Sequence, residues 1–130
     1  MSGDLHVVAI FHPTPGKEER GKGPTSPSHI PYANDMQPIK LKELLIDTAK
    51  KVYENEQGVK KYQIFEQVDS QTGTNVILFQ ETYADKAAVD YHLSTPYFGA
   101  MTELVTKESL VTKPFEVLVI NPIGGFASRG

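Results

Sequence analysis

Residues 80–98 read QETYADKAAVDYHLSTPYF and contain the end of one predicted strand and the starts of two predicted helices. The first residues close a segment that is rich in β-branched and aromatic side chains, which is typical of a strand. Asp85 is a preferred N-cap residue and predicts a helix over Lys86–Leu93. Thr95 can cap a further helix in which Pro96 takes the first position. The stretch therefore predicts a strand that is followed by two consecutive helices.

The flanking sequence supplies the other strands and one more helix. Leu5–Phe11 is rich in Val, Ile and Phe and predicts an opening strand. From Ile39 to Tyr53, apolar side chains recur at helical spacing, which predicts an amphipathic helix. Lys61–Val68 and Asn75–Tyr83 flank a turn-rich linker and predict an antiparallel hairpin. Phe115–Asn121 predicts a last strand.

This order of elements predicts a ferredoxin-like α+β fold, βαββαβ with an antiparallel sheet and a pair of helices in the second helical position. In that fold the helices cover one face of the sheet. The opening strand is nevertheless apolar on both faces, with Val7 and Phe11 on one face and Val8 and Ile10 on the other. We therefore expect the helix-free face to pack against a second copy of the chain, which gives a homodimer.

The length of 130 residues predicts one domain over 1–130. Residues 12–38 are rich in Pro and Gly and predict a long loop insertion, and residues 122–130 predict a Gly-rich C-terminal tail. No signal peptide is recognisable and no apolar run is long enough to span a membrane, so we expect a cytoplasmic protein.

Composition excludes several classes of function. Thirteen basic residues against 16 acidic residues give a net charge of −3, which argues against nucleic acids or anionic membranes as partners. The absence of cysteine excludes disulfide scaffolds, iron–sulfur clusters and cysteine nucleophiles. The segment Gly21-Lys22-Gly23 is too short for a P-loop, and the four histidines lack metal-binding spacing. We therefore expect neither a cofactor nor a metal.

The segment 80–98 resembles the signature of the antibiotic biosynthesis monooxygenase family. Members of the family typically show an acidic residue, an aromatic residue, an Asp, small residues and a His-Leu pair, followed by a break and a further aromatic residue. The matching positions are Glu81, Tyr83, Asp85, Ala88, His92, Leu93, Ser94 and Phe98. The resemblance covers the chain apart from the long loop and the tail.

The resemblance implies a dimeric α+β barrel. Family members include cofactor-independent oxygenases of quinols and polyketide anthrones, haem-degrading enzymes and small-molecule isomerases. This chain departs from the family pattern at two positions, because many members have Trp where Tyr83 stands and a second His where Tyr97 stands. The haem-degrading branch uses a Trp, which this chain lacks altogether.

His92 is the foremost candidate for chemistry. It lies four residues after Ala88 and three after Val89, which places it on the buried face of its helix. There it can act as a base or an orienting residue for a phenolic or enolic substrate, or simply pack at the helix break. Together with Tyr97 it forms the predicted catalytic pair. The predicted substrate-binding residues are Tyr83, Phe98, Tyr53, His6, Phe65 and Phe79.

Two classes of function fit these features. The first is a cofactor-independent monooxygenase that acts on a small aromatic, quinol or polyketide-like compound, in which the deprotonated substrate itself supplies electrons to O₂. An isomerase or dehydratase acting on an enolisable metabolite would need the same base but no oxygen. The second class is a non-catalytic dimeric module that binds small molecules or takes part in a stress response.

Overall fold

The computed structural model describes residues 3–15, 41–71 and 73–129. In this part of the chain, four strands and three helices follow one another in the predicted order. They are β1 (Leu5–Phe11), α1 (Leu41–Asn55), β2 (Val59–Glu66), β3 (Ile77–Tyr83), α2 (Lys86–Ser94), α3 (Pro96–Lys107) and β4 (Glu116–Ile120). The strands form one sheet in the order β2-β3-β1-β4, and all neighbours are antiparallel. The predicted ferredoxin-like α+β architecture is confirmed.

The bounds of the hairpin differ slightly from the prediction. Both β2 and its pairing end at Glu66, two residues before the predicted limit. The backbone N–H of Gln67 still donates to the carbonyl of Val76 at 2.9 Å, but the N–H of Val76 donates to the side-chain oxygen of Gln67 at 3.1 Å. A side chain therefore replaces the backbone carbonyl as acceptor and ends the ladder, which leaves Val68 exposed.

The two predicted irregular segments are only partly described. Residues 16–38 of the predicted loop insertion lie outside the described residues, while Pro13 forms an isolated bridge with Val111 just after β1. Residues 122–129 of the tail are exposed and belong to no helix or strand. No helix among the described residues is long and apolar enough to cross a membrane.

The hydrophobic core lies between one face of the sheet and the helices. Alternate side chains of β1 and β3 point to this face, because successive side chains of a strand alternate between the two sides. The buried apolar residues on these two strands and on the helices are Val7, Ala9, Phe11, Ile77, Phe79, Tyr83, Leu41, Leu45, Val52, Met101 and Val105. This core fixes the distance between the helices and the sheet, which determines the space left for a site.

The other face of the sheet carries a group of apolar side chains that is incompletely buried. The pairing register places Val8 opposite Gln80 and Leu118, and Ile10 opposite Leu78. Leu118 remains 48% exposed, and the other apolar members of this face are half-buried or exposed. We call this side of the sheet the helix-free face; its apolar residues are Val8, Ile10, Phe65, Leu78, Leu118 and Ile120.

The predicted caps of α2 and α3 are present. The side chain of Asp85 accepts a hydrogen bond from the N–H of Ala88 at 2.9 Å, and that of Thr95 accepts one from the N–H of Phe98 at 3.3 Å. Pro96 holds the first position of α3. The Thr95 hydroxyl also donates to the carbonyl of His92 at 2.9 Å, so the break between the helices holds the end of α2 in place.

Gly58 packs directly against α2 and permits its close approach to the sheet. A Cβ at residue 58 would lie 2.8 Å from the Cβ of Ala88, which is shorter than carbon atoms tolerate. We expect Gly58→Ala to lower the free energy of unfolding by about 1–3 kcal/mol through overpacking. Ala88→Gly alone should cost about 1 kcal/mol of helix stability.

The double variant tests the cause of this effect. Since Ala88→Gly removes the clashing methyl group, we expect Gly58→Ala and Ala88→Gly together to be less destabilising than the sum of the two single changes. Urea unfolding of all four proteins measures the coupling energy. Simple additivity would show that the close contact between Gly58 and Ala88 is not what restricts residue 58.

Candidate active site

A cavity of about 90 Å³ lies between the helix-covered face of the sheet and the helices α2 and α3. Its walls are mainly apolar and aromatic, with contributions from Phe79, Phe98 and Met101. Val117 and Val119 of β4 also line the cavity, yet they are 54% and 70% exposed, so the cavity opens to solvent beside β4. The polar side chains in its lining are Tyr62, Glu81, Tyr83 and His92.

His92 forms part of the cavity wall and is 2% exposed. Its ring lies among aromatic rings, with centroid distances of 5.0 Å to Phe98, 5.4 Å to Tyr62 and 5.7 Å to Tyr83. The buried face of α2, on which the sequence places His92, therefore directs this imidazole into the space between the helix and the sheet. A polar ring in such apolar surroundings requires a hydrogen-bonding partner.

Glu56 is that partner. It follows the last residue of α1, where its backbone N–H donates to the carbonyl of Val52 at 2.9 Å. Its carboxylate oxygens lie 3.0 and 3.1 Å from Nδ1 of His92, and both side chains are almost completely buried. The hydroxyl of Tyr97 donates a further hydrogen bond to Oε2 of Glu56. The carboxylate of Glu56 therefore holds two residues from two different helices.

This arrangement determines which nitrogen of His92 can accept a proton. An ionised carboxylate only accepts hydrogen bonds, so Nδ1 of His92 carries the proton that points to Glu56. In the neutral ring, Nε2 then keeps its lone pair, and this atom lies 3.5 Å from the hydroxyl of Tyr62. A buried carboxylate that orients an imidazole in this way also stabilises the imidazolium that forms when the ring takes up a proton.

The tyrosines around the pair remain hydrogen-bond donors. Burial raises the pKa of Tyr62 and of Tyr83 far above the usual range, and nearby carboxylates raise both further. Burial and the hydrogen bond to Glu56 raise the pKa of Tyr97 in the same direction. These hydroxyls therefore stay protonated at physiological pH, and the hydroxyl of Tyr62, which lines the cavity, can donate to an anion that forms there.

Glu81 is the second acidic group of the site and, unlike Glu56, forms part of the cavity wall. It is 8% exposed, and its Oε1 accepts a hydrogen bond from the hydroxyl of Tyr83 at 2.5 Å. Burial raises the pKa of the Glu81 carboxyl, although the Tyr83 hydrogen bond and the charge of His92 partly oppose the effect. No group of three or more His, Cys, Asp or Glu side chains that could hold a metal ion occurs among residues 3–15, 41–71 and 73–129.

The structure brings some of the predicted site residues together and separates others. Phe79, Tyr83, Phe98 and His92 all line the cavity. Tyr97 contacts the site through Glu56 and is absent from the cavity wall.

The remaining three predicted residues lie away from the cavity. His6 and Phe65 belong to the opposite side of the sheet, where Nδ1 of His6 lies 3.3 Å from the hydroxyl of Thr82. Tyr53 is 89% exposed on the outer surface of α1. The structure thus gives these three side chains no contact with the cavity.

Glu56, Glu81 and Tyr62 belong to the site although the sequence patterns did not predict them as site residues. Signals for both acids were present in the pattern of buried positions. Thr48 and Val52 belong to the buried stripe of α1, and Glu56 is the next residue at the same four-residue spacing. Glu81 occupies an inward position of β3 between buried aromatic residues. An acidic residue at an apolar position is the indication that could have identified each of them.

The raised pKa of Glu81 predicts how stability depends on pH. At pH values between the ordinary Glu pKa and the raised pKa of Glu81, the folded protein retains a proton that the unfolded chain has lost. The stabilisation that comes from protonated Glu81 is therefore fully present below the ordinary Glu pKa. It disappears as pH rises through the raised pKa of the folded state. The charged and ionisable groups that face Glu81 are His92, Glu56, Tyr62 and Tyr83.

We expect Glu81→Gln to remove this fall in stability, because the amide does not ionise. Urea unfolding across about pH 4 to pH 8 should show the wild-type protein losing stability relative to the variant as pH rises. Glu103→Gln makes the same chemical change at an exposed position of α3 and should follow the wild-type protein. If the free energy of unfolding changes with pH in the same way for wild type and Glu81→Gln, the prediction is wrong.

Comparisons with known proteins agree with this fold and signature. The family model of the antibiotic biosynthesis monooxygenases matches residues 40–104, which is half of the chain. An uncharacterized protein of Synechocystis sp., sll1783, is 31% identical over 118 residues, which cover 88% of this chain and 77% of the relative.

Solved structures share the architecture at lower identity. A Caulobacter crescentus protein assigned to the antibiotic biosynthesis monooxygenases has a TM-score of 0.65 at 22% identity, covering 95% of this chain and 92% of its own. Rv0793 from Mycobacterium tuberculosis has a TM-score of 0.62 at 24% identity, with coverages of 95% and 99%. These structures show the shared fold, and because the family model matches half of the chain, the chain belongs to the antibiotic biosynthesis monooxygenase family.

Proposed function

We propose that this protein is a monooxygenase that works without a bound cofactor on a small aromatic quinol or polyketide-like compound. The observation that carries the proposal is that His92 lies in the wall of an apolar cavity while its Nδ1 is hydrogen-bonded to the buried carboxylate of Glu56. His92 serves as the base, and Glu56 and Tyr97 are positioning residues that act through it. The sequence contains no nucleotide-binding motif, so the substrate is the source of electrons.

The first chemical task is to remove a proton from the substrate. Nε2 of His92 accepts the proton from a phenolic hydroxyl or from the acidic CH₂ group of an anthrone, and Glu56 stabilises the resulting imidazolium. The hydroxyl of Tyr62, 3.5 Å from the same nitrogen, can donate to the oxygen that gains negative charge. The apolar walls exclude water, which strengthens both interactions.

For an anthrone, the subsequent steps need O₂ as the only co-reactant. The carbanion gives one electron to O₂, and the resulting radical and superoxide combine to form a C–O bond and a peroxide. The imidazolium of His92 returns its proton to the peroxide. Loss of the second C–H proton then breaks the O–O bond, so R₂CH₂ and O₂ give R₂C=O and H₂O. All electrons that reduce O₂ come from the substrate carbon.

The shape of the cavity favours a flat substrate that is only partly enclosed. Its volume of about 90 Å³ is smaller than the ~150 Å³ of an engineered cavity that holds benzene. A ring placed against His92 and Phe98 must therefore extend through the opening beside Val117 and Val119. A bicyclic or tricyclic compound can fill the cavity with one ring and lie along β4 with the others.

The test of this proposal is oxygen uptake with anthrone and with a simple hydroquinone. We expect His92→Ala to lower the rate by about 10²–10⁴-fold, because it removes a general base. Glu56→Gln and Tyr97→Phe should lower kcat by a smaller factor than His92→Ala does, and they should shift the pH profile of kcat. His12→Ala is the matched control, since His12 is a partly exposed histidine that pairs with Glu116 at 2.9 Å away from the cavity.

The outcomes distinguish the classes of function. Oxygen uptake that is unchanged in His92→Ala would remove this residue from the mechanism. Conversion of an enolisable compound without oxygen uptake would instead indicate an isomerase or dehydratase that uses the same base. Binding without any turnover would indicate a non-catalytic module.

We also propose that the helix-free face joins two copies of the chain in a homodimer. The face carries six apolar residues, of which Leu118 and Ile120 are each 48% exposed. Exposed apolar side chains that are contiguous on one sheet face are typical of an association surface. A second copy offers the same apolar residues and is therefore complementary to them.

We expect sedimentation equilibrium to give twice the chain mass of 14.4 kDa. Leu118→Glu should shift the protein toward the monomer, because it places a charge in the apolar interface. Ile46→Glu on α1 is the matched control, since Ile46 is 49% exposed but lies away from this face. A monomeric wild-type protein, or a dimer that Leu118→Glu leaves intact, would contradict the proposal.

A further inference from the structure

Glu81 occupies a position that the packing of β3 reserves for apolar side chains. The inward residues of this strand alternate as Ile77, Phe79, Glu81 and Tyr83, and the other three are 1–2% exposed. Glu81 itself is 8% exposed and forms part of the cavity wall. A carboxyl group at such a position costs stability unless its oxygens are hydrogen-bonded.

The hydrogen bonding of Glu81 is incomplete. Oε1 accepts from the Tyr83 hydroxyl at 2.5 Å. Within the residues that the structure describes, no hydrogen bond reaches the second oxygen, Oε2. A carboxylate can accept about four hydrogen bonds, so the group keeps most of its capacity. Buried acceptors with unused capacity indicate a partner that is supplied from outside the chain.

The charge of the cavity wall restricts which partner can bind. The described residues that line the cavity include neither Lys nor Arg, and the carboxyl group of Glu81 is close enough to His92 to interact with its charge. The imidazole of His92 is already engaged by Glu56. An anionic ligand would thus lose its hydration without gaining a free cation and would meet the carboxyl of Glu81.

We propose that Glu81 hydrogen-bonds to a hydroxyl group of the ligand and makes the cavity select uncharged hydroxyaromatic molecules over the corresponding carboxylates. The inference deepens the proposed function, on which it rests for the aromatic nature of the ligand. Glu81 is then a specificity-determining residue that lines the same cavity as the base. Burial raises the pKa of its carboxyl, and an adjacent anion raises it further, which adds to the cost of binding a carboxylate.

The experiment compares two probes that differ in one group, 2-naphthol and 2-naphthoate. Isothermal titration calorimetry near neutral pH should show that the wild-type protein binds 2-naphthol at least about tenfold more tightly. A histidine-selective nitrogen NMR spectrum should show that 2-naphthol shifts the ring signals of His92, which locates the probe in this cavity.

Two variants separate the hydrogen bond of Glu81 from its charge. Glu81→Gln keeps a hydrogen-bonding group, so 2-naphthol should bind within about threefold of wild type while 2-naphthoate binds more tightly. Glu81→Leu removes the hydrogen bond and should weaken 2-naphthol binding by about tenfold. Glu103→Gln should change neither affinity, because this residue is exposed on α3.

Three results would overturn the inference. In the first, the wild-type protein fails to bind 2-naphthol, and in the second, it binds 2-naphthoate as tightly or more tightly. In the third, Glu81→Gln leaves the ratio of the affinities for 2-naphthol and 2-naphthoate as it is in wild type. Circular dichroism checks that the variants fold. If Glu81→Leu does not fold, the affinities of the wild-type protein and of Glu81→Gln for the two probes still test the inference. Preference for 2-naphthol without oxygen uptake on any quinol would count against the proposed function alone. Oxygen uptake with a preference for carboxylates would count against this inference alone.

Discussion

The burial of the Glu56 carboxylate beside His92 is the constraint on which the site depends. Removing such a charge from water is unfavourable, and the hydrogen bonds from Nδ1 of His92 and from the Tyr97 hydroxyl compensate for it. These bonds tie the end of α1 to α2 and α3, because each partner comes from a different helix. The same interaction therefore fixes the packing of the helices and the orientation of the imidazole.

The fold could be predicted from short-range signals in the sequence. Asp85 and Thr95 act as caps in the structure as their residue types suggest, and the position of Pro96 marks the start of α3. These signals depend on hydrogen bonds between residues that are close in sequence, and such short-range relations are visible in a sequence pattern. The limits of β2 were less predictable, because the side chain of Gln67 competes with its backbone for Val76.

The site could be predicted only in part. His92 and three of the predicted aromatic side chains reach the cavity because helical and strand periodicity determine their faces. The partner of His92 is Glu56, which is 36 residues distant in sequence, and no local pattern pairs them. Phe65 and His6 have side chains that are suited to bind an aromatic substrate, but the register of the sheet directs them to the helix-free face.

The break between α2 and α3 has a geometric consequence for the two side chains that share Glu56. His92 and Tyr97 are five residues apart, so in one continuous helix they would project about 140° from each other and could not meet a common carboxylate. The turn at Thr95 redirects the second helix and lets both converge on Glu56. Substitution at position 97 can thus alter the environment of the imidazole independently of the helix that carries it. An insertion or deletion of one residue at this break would, in contrast, change the direction of α3 relative to α2 and uncouple the two side chains.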